Sequence, residues 1–305
     1  MSDGASPTPY DPAAAQTAAR HATMASVATA CVLIALKAFG WGASGSVSLL
    51  ASLVDSGLDL IASLGAFFAV RWAAQPADAE HRYGHGKAEA FAGLVQAGLV
   101  FASAIFIGWE SVDRILSPRA VANGPWAIAV MIASLVLTAG LIAFQTRAMK
   151  VSGSLAVKGD RAHYSADLLS NLVALIGVGS AALMGAAPLD AVAGLLVAVW
   201  LFWGALGVLR EAADHLLDRA LPDADQARIV ALVLEDPQIR GVHRLRTRAS
   251  GEAWMVQMHA DLPARLTLAK AHAILEAAEA RIRAAYPQAD IIIHPDPSGP
   301  DGRSE

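Results

Sequence analysis

The sequence predicts an α-helical membrane protein: six transmembrane helices followed by a small cytoplasmic α+β domain. Three observations lead there. Hydrophobic residues make up 55% of the 305 and charged residues only 16%, with a mean hydropathy of +0.45. Six apolar segments are long enough to cross a bilayer. After Arg210 the chain turns polar, and its pattern changes to short strands and amphipathic helices.

In order, Met1 to Arg20 is rich in Ala, Pro, Ser and Thr without an apolar period, which predicts a disordered tail. The apolar stretch after it continues as a full span, so it does not read as a signal peptide. The spans run about Ala22–Trp41, Ser48–Val70, Ala90–Leu116, Trp126–Phe144, Ser165–Met184 and Leu189–Leu209. The third is long enough to tilt or project. Beyond them, Leu221-Pro222-Asp223 marks a stop and a new helix start. A helix over 224–234 and strands over 242–248 and 253–261, joined by a turn at Ser250-Gly251, come next. A long helix over 268–286 and a short strand over 290–294 follow, and the tail from Pro295 is expected to fray. The expected domains are a tail over 1–20, a membrane domain over 21–212, a cytoplasmic domain over 213–297 and a second tail over 298–305.

Orientation follows from the basic residues. Arg20, Arg71, Arg82, Lys87, Arg147, Lys150, Lys158, Arg161 and Arg210 fall on one side, and Arg114 and Arg119 on the other. By the positive-inside rule both termini are cytoplasmic, in an inner or plasma membrane. A net charge of -4 with no dense basic patch argues against nucleic acid as a partner. The single cysteine, Cys31, excludes an intramolecular disulfide and a Cys-based zinc site, and reads as a small buried apolar residue.

Carboxylates stand where hydrocarbon is expected. In the second span Asp55 and Asp59 are four apart, which puts them on one helix face, about 6 Å apart along the axis. The fifth span opens with a second such pair, His163 and Asp167. Brought together, the two pairs make a tetrahedral set of oxygens and one nitrogen suited to zinc. Three aspartates at ~3 kcal/mol each burden insertion by roughly 9 kcal/mol. Interhelical hydrogen bonds return only about 0.6–2 kcal/mol apiece, so a cation or protons must neutralise the cluster. Lys37, in the first span, either partners one of these carboxylates or snorkels to an edge.

The histidines are unevenly placed. His81 and His85 sit at a membrane edge, where Asp78, His81 and His85 fall at i, i+3 and i+7 with Gly84 permitting a turn; by themselves they read as a polar edge. Four more, His243, His259, His272 and His294, follow the last span. His259 alternates with Trp254, Val256 and Met258, so it faces away from them, and antiparallel pairing brings His243 near it.

Together these motifs resemble the cation diffusion facilitator family, in its bacterial zinc and ferrous-iron efflux branch. The resemblance covers about Ala22 to Pro297. It rests on Ser48-Leu-Leu-Ala-Ser-Leu-Val-Asp55-Ser-Gly-Leu-Asp59, Tyr83-Gly-His85-Gly-Lys87-Ala-Glu89, His163-Tyr-Ser-Ala-Asp167 and Leu216-Leu-Asp218-Arg-Ala-Leu-Pro222. It implies a homodimer whose cytoplasmic domain is metallochaperone-like. Asp55, Asp59, His163 and Asp167 would form the transport site, a composition that goes with zinc and cadmium. Asp78, His81 and His85 would form a second, more exposed site. His243, His259 and Asp296 would ligate a cytoplasmic site, with His272 and His294 in matching positions. Lys87 and Asp218 would be a charge pair at the dimer interface. Pro295 departs from the pattern, since relatives carry a free N–H there.

The function expected is a proton-coupled zinc efflux transporter working by alternating access, not an enzyme. Metal displaces protons from the site, because His must be neutral and Asp ionised to bind. Zinc is the cargo and a candidate structural ion; no organic cofactor is implied. Ferrous iron, cadmium and manganese are alternative cargoes. A distant alternative, an intramembrane serine protease, would use Ser44 of Gly42-Ala-Ser44-Gly45 with His163 as base. It gives no reason for three membrane aspartates.

Overall fold

The structure, a computed structural model, describes residues 12–44, 47–116, 125–184, 188–251 and 253–298. Six long helices come first: α1 (Pro12–Ser44), α2 (Val47–Ala73), α3 (Lys87–Leu116), α4 (Pro125–Ser152), α5 (Leu155–Met184) and α6 (Pro188–Leu216). Among the described residues, α1, α2, α3, α4 and α6 contain stretches long and apolar enough to cross a membrane. In α5, Lys158, Asp160, Arg161 and Asp167 interrupt the apolar run.

The outer face of α2 carries Val54, Leu58, Ile61, Phe68 and Trp72, all exposed, at intervals that keep to one helical stripe. Its opposite face holds Ser56, Asp59 and Ser63, all buried. The polar face therefore points into the bundle and the apolar face out of it, inverting the arrangement of a water-soluble helix. Helix contacts inside rest on small residues: Ala19, Ala22, Ala66, Ala92, Ala148 and Ala156 form one buried cluster, where slight side chains let backbones approach.

That cluster corrects the expected N-terminal tail. Residues 12–20 are helical, because Pro12 suits a first helical position and Ala15 and Ala19 are buried. Residues 1–11 lie outside the described ones. Cys31 is exposed on α1 rather than buried, since it falls on the helix's outward side.

The C-terminal part contains α7 (Asp223–Val233), β1 (Gly241–Ser250), β2 (Ala253–Pro263), α8 (Leu268–Ala285) and β3 (Ala289–Ser298). The sheet order is β1-β2-β3; β1 runs antiparallel to β2, and β3 parallel to it. The parallel pair needs a crossover, which α8 supplies. Thr267 caps α8 by accepting from the Lys270 N–H. Val256, Met258, Ala260 and Leu262 alternate along β2 into one core with Ile229, Val233, Ile274 and Ile282 of the helices. Period two leaves His259 and Asp261 on the other face.

Two local features differ from expectation. β3 continues through Ser298 instead of fraying at Pro295, with Asp296 paired to Asp261. As an edge strand it tolerates the missing donors of Pro295 and Pro297, and the Ser298 hydroxyl donates to Leu262 O at 3.0 Å. β1 carries a bulge: His243 pairs with His259, but Arg246 pairs with Gln257. One extra residue is accommodated there, with Arg244 at φ 52.

Two compact units result among the described residues. One comprises 13–76 and 88–213, the other 77–87 and 214–298. The loop 77–87, expected within the membrane domain, thus belongs with the C-terminal unit. Backbone contact explains why. A Cβ on Gly86 would stand 2.3 Å from Ser250 O, and one on Gly251 would stand 2.8 Å from Gly86 Cα. Only glycine allows this approach. Arg248 lies over the Tyr83 ring, 4.9 Å from its centroid.

Candidate metal centre

Among the described residues three groups of ligand-type side chains converge, each with its candidate atoms within 4.8 Å of one another: Asp59, His163 and Asp167; Asp78, His81 and His85; and His243, His259 and Asp296.

The first lies between α2 and α5. His163 Nε2 stands 3.0 Å from Asp59 Oδ1 and 3.7 Å from Asp167 Oδ2. Asp59 is 5% and His163 7% exposed. His163 Nδ1 and Asp167 Oδ2 are buried without a hydrogen-bond partner. Buried polar atoms are seldom left so; unsatisfied nitrogen and oxygen atoms beside two carboxylates suit a divalent ion. Asp55 is not part of this convergence. It is exposed, one turn from Asp59, on the wall of a cavity of about 1020 Å³ that Asp59, His163, Asp167 and Gln96 also line.

Around this cluster the structure adds residues that the sequence reading missed. Asp160, one turn before His163, is fully buried. It accepts from Gln145 Nε2 at 2.8 Å, Ser63 Oγ at 3.2 Å and Gln96 Nε2 at 3.5 Å. Tyr164 OH lies 3.0 Å from Ser63 Oγ, and Gln145 Nε2 also donates to Ser26 Oγ at 2.9 Å. This network joins α1, α2, α3, α4 and α5 and fixes the helix that carries His163. Its signal in the sequence was a second carboxylate on α5, seven residues before Asp167, with polar residues in the other spans to meet it. Lys37 neither snorkels nor pairs directly with a carboxylate among the described residues. It is 6% exposed, and its Nζ donates to Ser52 O and Ser56 Oγ.

The second group is local. Asp78 Oδ1 accepts from the backbone N–H of His81 at 2.6 Å and of Glu80 at 2.8 Å. Those N–H groups, His81's above all, hold the Asp78 carboxyl below the usual carboxylate range. Its Oδ2 lies 3.3 Å from His85 Nε2, and the two imidazoles sit with centroids 4.6 Å apart. His85 is buried, whereas Asp78 and His81 are half exposed. Nearby, Lys87 Nζ stands 2.8 Å from Asp218 Oδ1, and Arg248 3.0 Å from Asp218 Oδ2. The Lys87 hydrogen bond, aided by Arg248, lowers the Asp218 pKa.

The third group lies on the open face of the C-terminal sheet. Asp296 Oδ2 meets His259 Nδ1 at 2.8 Å and His243 Nε2 at 3.1 Å. The His259 hydrogen bond depresses the Asp296 pKa. The bulge decides this placement. In a regular strand His243 and Thr247, four apart, would share a face; here Thr247 pairs with core residue Val256 while His243 pairs with His259. His294 reaches Asp296 Oδ1 at 3.3 Å from the rim. His272 does not join: it pairs with Glu276 on the exposed side of α8, because a helix on the far side of the sheet core cannot present it to the open face. Asp261 was missed; its Oδ2 lies 3.6 Å from His243 Nδ1. Its position two residues after His259 on one strand face was the available signal.

The protease alternative rests on Ser44 and its neighbours. Gly45 and the Ser44 side chain lie outside the described residues, and His163 is engaged by Asp59.

Known proteins match the chain over most of its length. The cation efflux transmembrane domain matches residues 23–217, and the cation efflux protein cytoplasmic domain matches residues 221–298. The cation-efflux pump FieF of Pectobacterium atrosepticum is 41% identical over 282 residues, covering 92% of this chain and 94% of the relative. That of Cronobacter sakazakii is 39% identical over 277 residues, covering 91% and 92%. Among solved structures, the putative zinc transporter CzrB in its zinc form matches at 26% identity and a TM-score of 0.26, over 29% of this chain and 99% of its own.

Proposed function

Since the chain belongs to the cation efflux family, as a multi-pass membrane transporter and not an enzyme, we propose that it exports zinc from the cytoplasm in exchange for protons. The observation that carries this reading is the convergence of Asp59, His163 and Asp167 inside the bundle, with Asp55 one turn away on the same cavity wall. An entering ion draws Asp55 in to complete three carboxylates and one imidazole. The ion binds to neutral His163 and ionised aspartates, so protons arriving from the opposite side compete for the same atoms and release it. Zinc suits the mixed nitrogen and oxygen set at tetrahedral geometry.

The other groups serve that passage. Asp78, His81 and His85 hold metal at the loop. His243, His259 and Asp296, with His294 at the rim, hold metal on the C-terminal sheet. The protein works as a homodimer in the inner membrane with both termini in the cytoplasm. Metal bound only by the assembled form stabilises the dimer by mass action, and Lys87 with Asp218 fixes the loop against the chain that follows α6.

The test is flux. In proteoliposomes, Asp59→Ala abolishes zinc uptake and the accompanying signal of a pH-sensitive dye, while the protein elutes and melts as the parent does. Unchanged zinc flux would sink the assignment. Zinc flux with no dye signal would sink the proton exchange alone.

A further inference from the structure

Lys37, on α1, contributes no ligand atom, yet it is bonded to the face of α2 that carries Asp55 and Asp59. Its Nζ donates to Ser52 O at 3.0 Å and to Ser56 Oγ at 2.6 Å. Ser52, Asp55, Ser56 and Asp59 occupy i, i+3, i+4 and i+7 of α2, which is one face. The amine is 6% exposed and Ser56 is fully buried. An ammonium taken from water needs compensating charge. Both of its acceptors are neutral, so that charge comes from carboxylates on the same face, felt across an interior that screens poorly. Being tied to a carbonyl and a hydroxyl, Lys37 is also held off the carboxylates and leaves their oxygens open to an ion.

We propose that Lys37 is a fixed counter-charge that sets the valence the site accepts and the tightness with which it holds it. This rests on the transport-site reading above. With Asp55, Asp59 and Asp167 ionised and His163 neutral, the ammonium and a doubly charged ion together leave the four-ligand set without net charge, Asp160 being held apart by its own donors Ser63, Gln96 and Gln145. A singly charged ion leaves it negative and a triply charged one positive, and a low-dielectric interior disfavours both. The same ammonium repels the bound ion, so the site gives up affinity and gains release. Lys37 is a specificity-determining residue that touches no cargo.

The experiment titrates zinc into the full chain in detergent, with His81, His243 and His259 replaced by Ala to silence the other two groups. Asp59→Asn is the control: it loses the remaining zinc binding. If it does not, the transport-site reading falls and the counter-charge falls with it. Lys37→Gln removes the charge and keeps a donor for Ser52 and Ser56. It binds zinc about tenfold more tightly or better, transports with a lower kcat, and lets terbium compete with zinc more strongly. Lys37→Arg restores the parent order. Zinc affinity unchanged or weaker in a folded Lys37→Gln, with Asp59→Asn still abolishing binding, overturns the proposal and leaves the site standing. Should Lys37→Gln fail to fold, Lys37→Met is read by the same titration, with the same tightening expected.

Discussion

The ligand group in the helix bundle and the one in the loop use the same chemistry in opposite ways. Asp59 and His163 are 104 positions apart in sequence and meet at 3.0 Å, whereas Asp78, His81 and His85 lie within one short loop. The first group exists only while α2 and α5 hold their present register. A small sliding of one helix past the other separates its members, which suits a site that must capture and then release. The second is held by its own backbone, through the two N–H groups that Asp78 accepts, and survives motion elsewhere. Burial differs likewise. Asp59 and His163 are closed off, while Asp78 and His81 are half exposed and their charges are screened. Ligand identity alone therefore does not separate the two groups. Sequence separation and burial do.

The largest expected effect sharpens this contrast. His163→Gln should lower zinc flux at least about a hundredfold, because it removes the one imidazole of the four-ligand set. His81→Gln, in a half-exposed loop, should lower it less than about fivefold. Comparable losses in paired proteoliposome assays would erase the distinction.

The C-terminal group falls between the two. His243 and His259 come from adjacent strands of a domain with its own core, so zinc there should act on stability rather than on turnover. At zinc one hundredfold above its dissociation constant, a site bound only when folded adds about 2.7 kcal/mol. His259→Ala should remove most of the zinc-dependent rise in Tm while leaving the metal-free Tm nearly unchanged. Flux lost with no change in the zinc-dependent Tm would place this group with the moving site instead.

The smallest effect concerns Lys87 and Asp218. Asp218's carboxyl is depressed below its ordinary value by Lys87, so its contribution to stability is present above about pH 4 and is lost as pH falls through the depressed value. Both side chains are more than a third exposed, which limits the pair to under about 1 kcal/mol. Asp218→Asn should therefore flatten a shallow acid-side decline in Tm and change little at neutral pH. An acid-side slope as steep as the parent's would assign that decline to other carboxylates.

Much of this was legible in the sequence, and the exceptions share a cause. Helical period placed Asp59, His163 and Asp167 where two helices could present them, because carboxylates amid hydrocarbon leave few alternatives. Strand alternation put His259 on the open face. What could not be read depended on a departure from regular period or on three-dimensional neighbours. The bulge that separates His243 from Thr247 is one extra residue with no marked composition. Asp55 shares a face with Asp59 yet stands apart, exposed one turn further along α2 while Asp59 is buried against His163. Gly86 was part of a recognised motif, but its reason, a backbone passing within reach at Ser250, lies 164 positions away. Pro12 to Arg20 read as a tail because alanine carries no strong period, although alanine is what lets α1 pack closely there.

The network around Asp160 also has a consequence for biogenesis. Ser26, Ser63, Gln96 and Gln145, its partners in α1 to α4, all precede it in the chain. Synthesis runs from the N-terminus, so when α5 leaves the ribosome the groups that accommodate its carboxylate are already in the membrane. A circularly permuted chain beginning at α5 would present Asp160 to lipid before any of them existed. The order of the helices is thus part of how this carboxylate becomes tolerable in a bilayer.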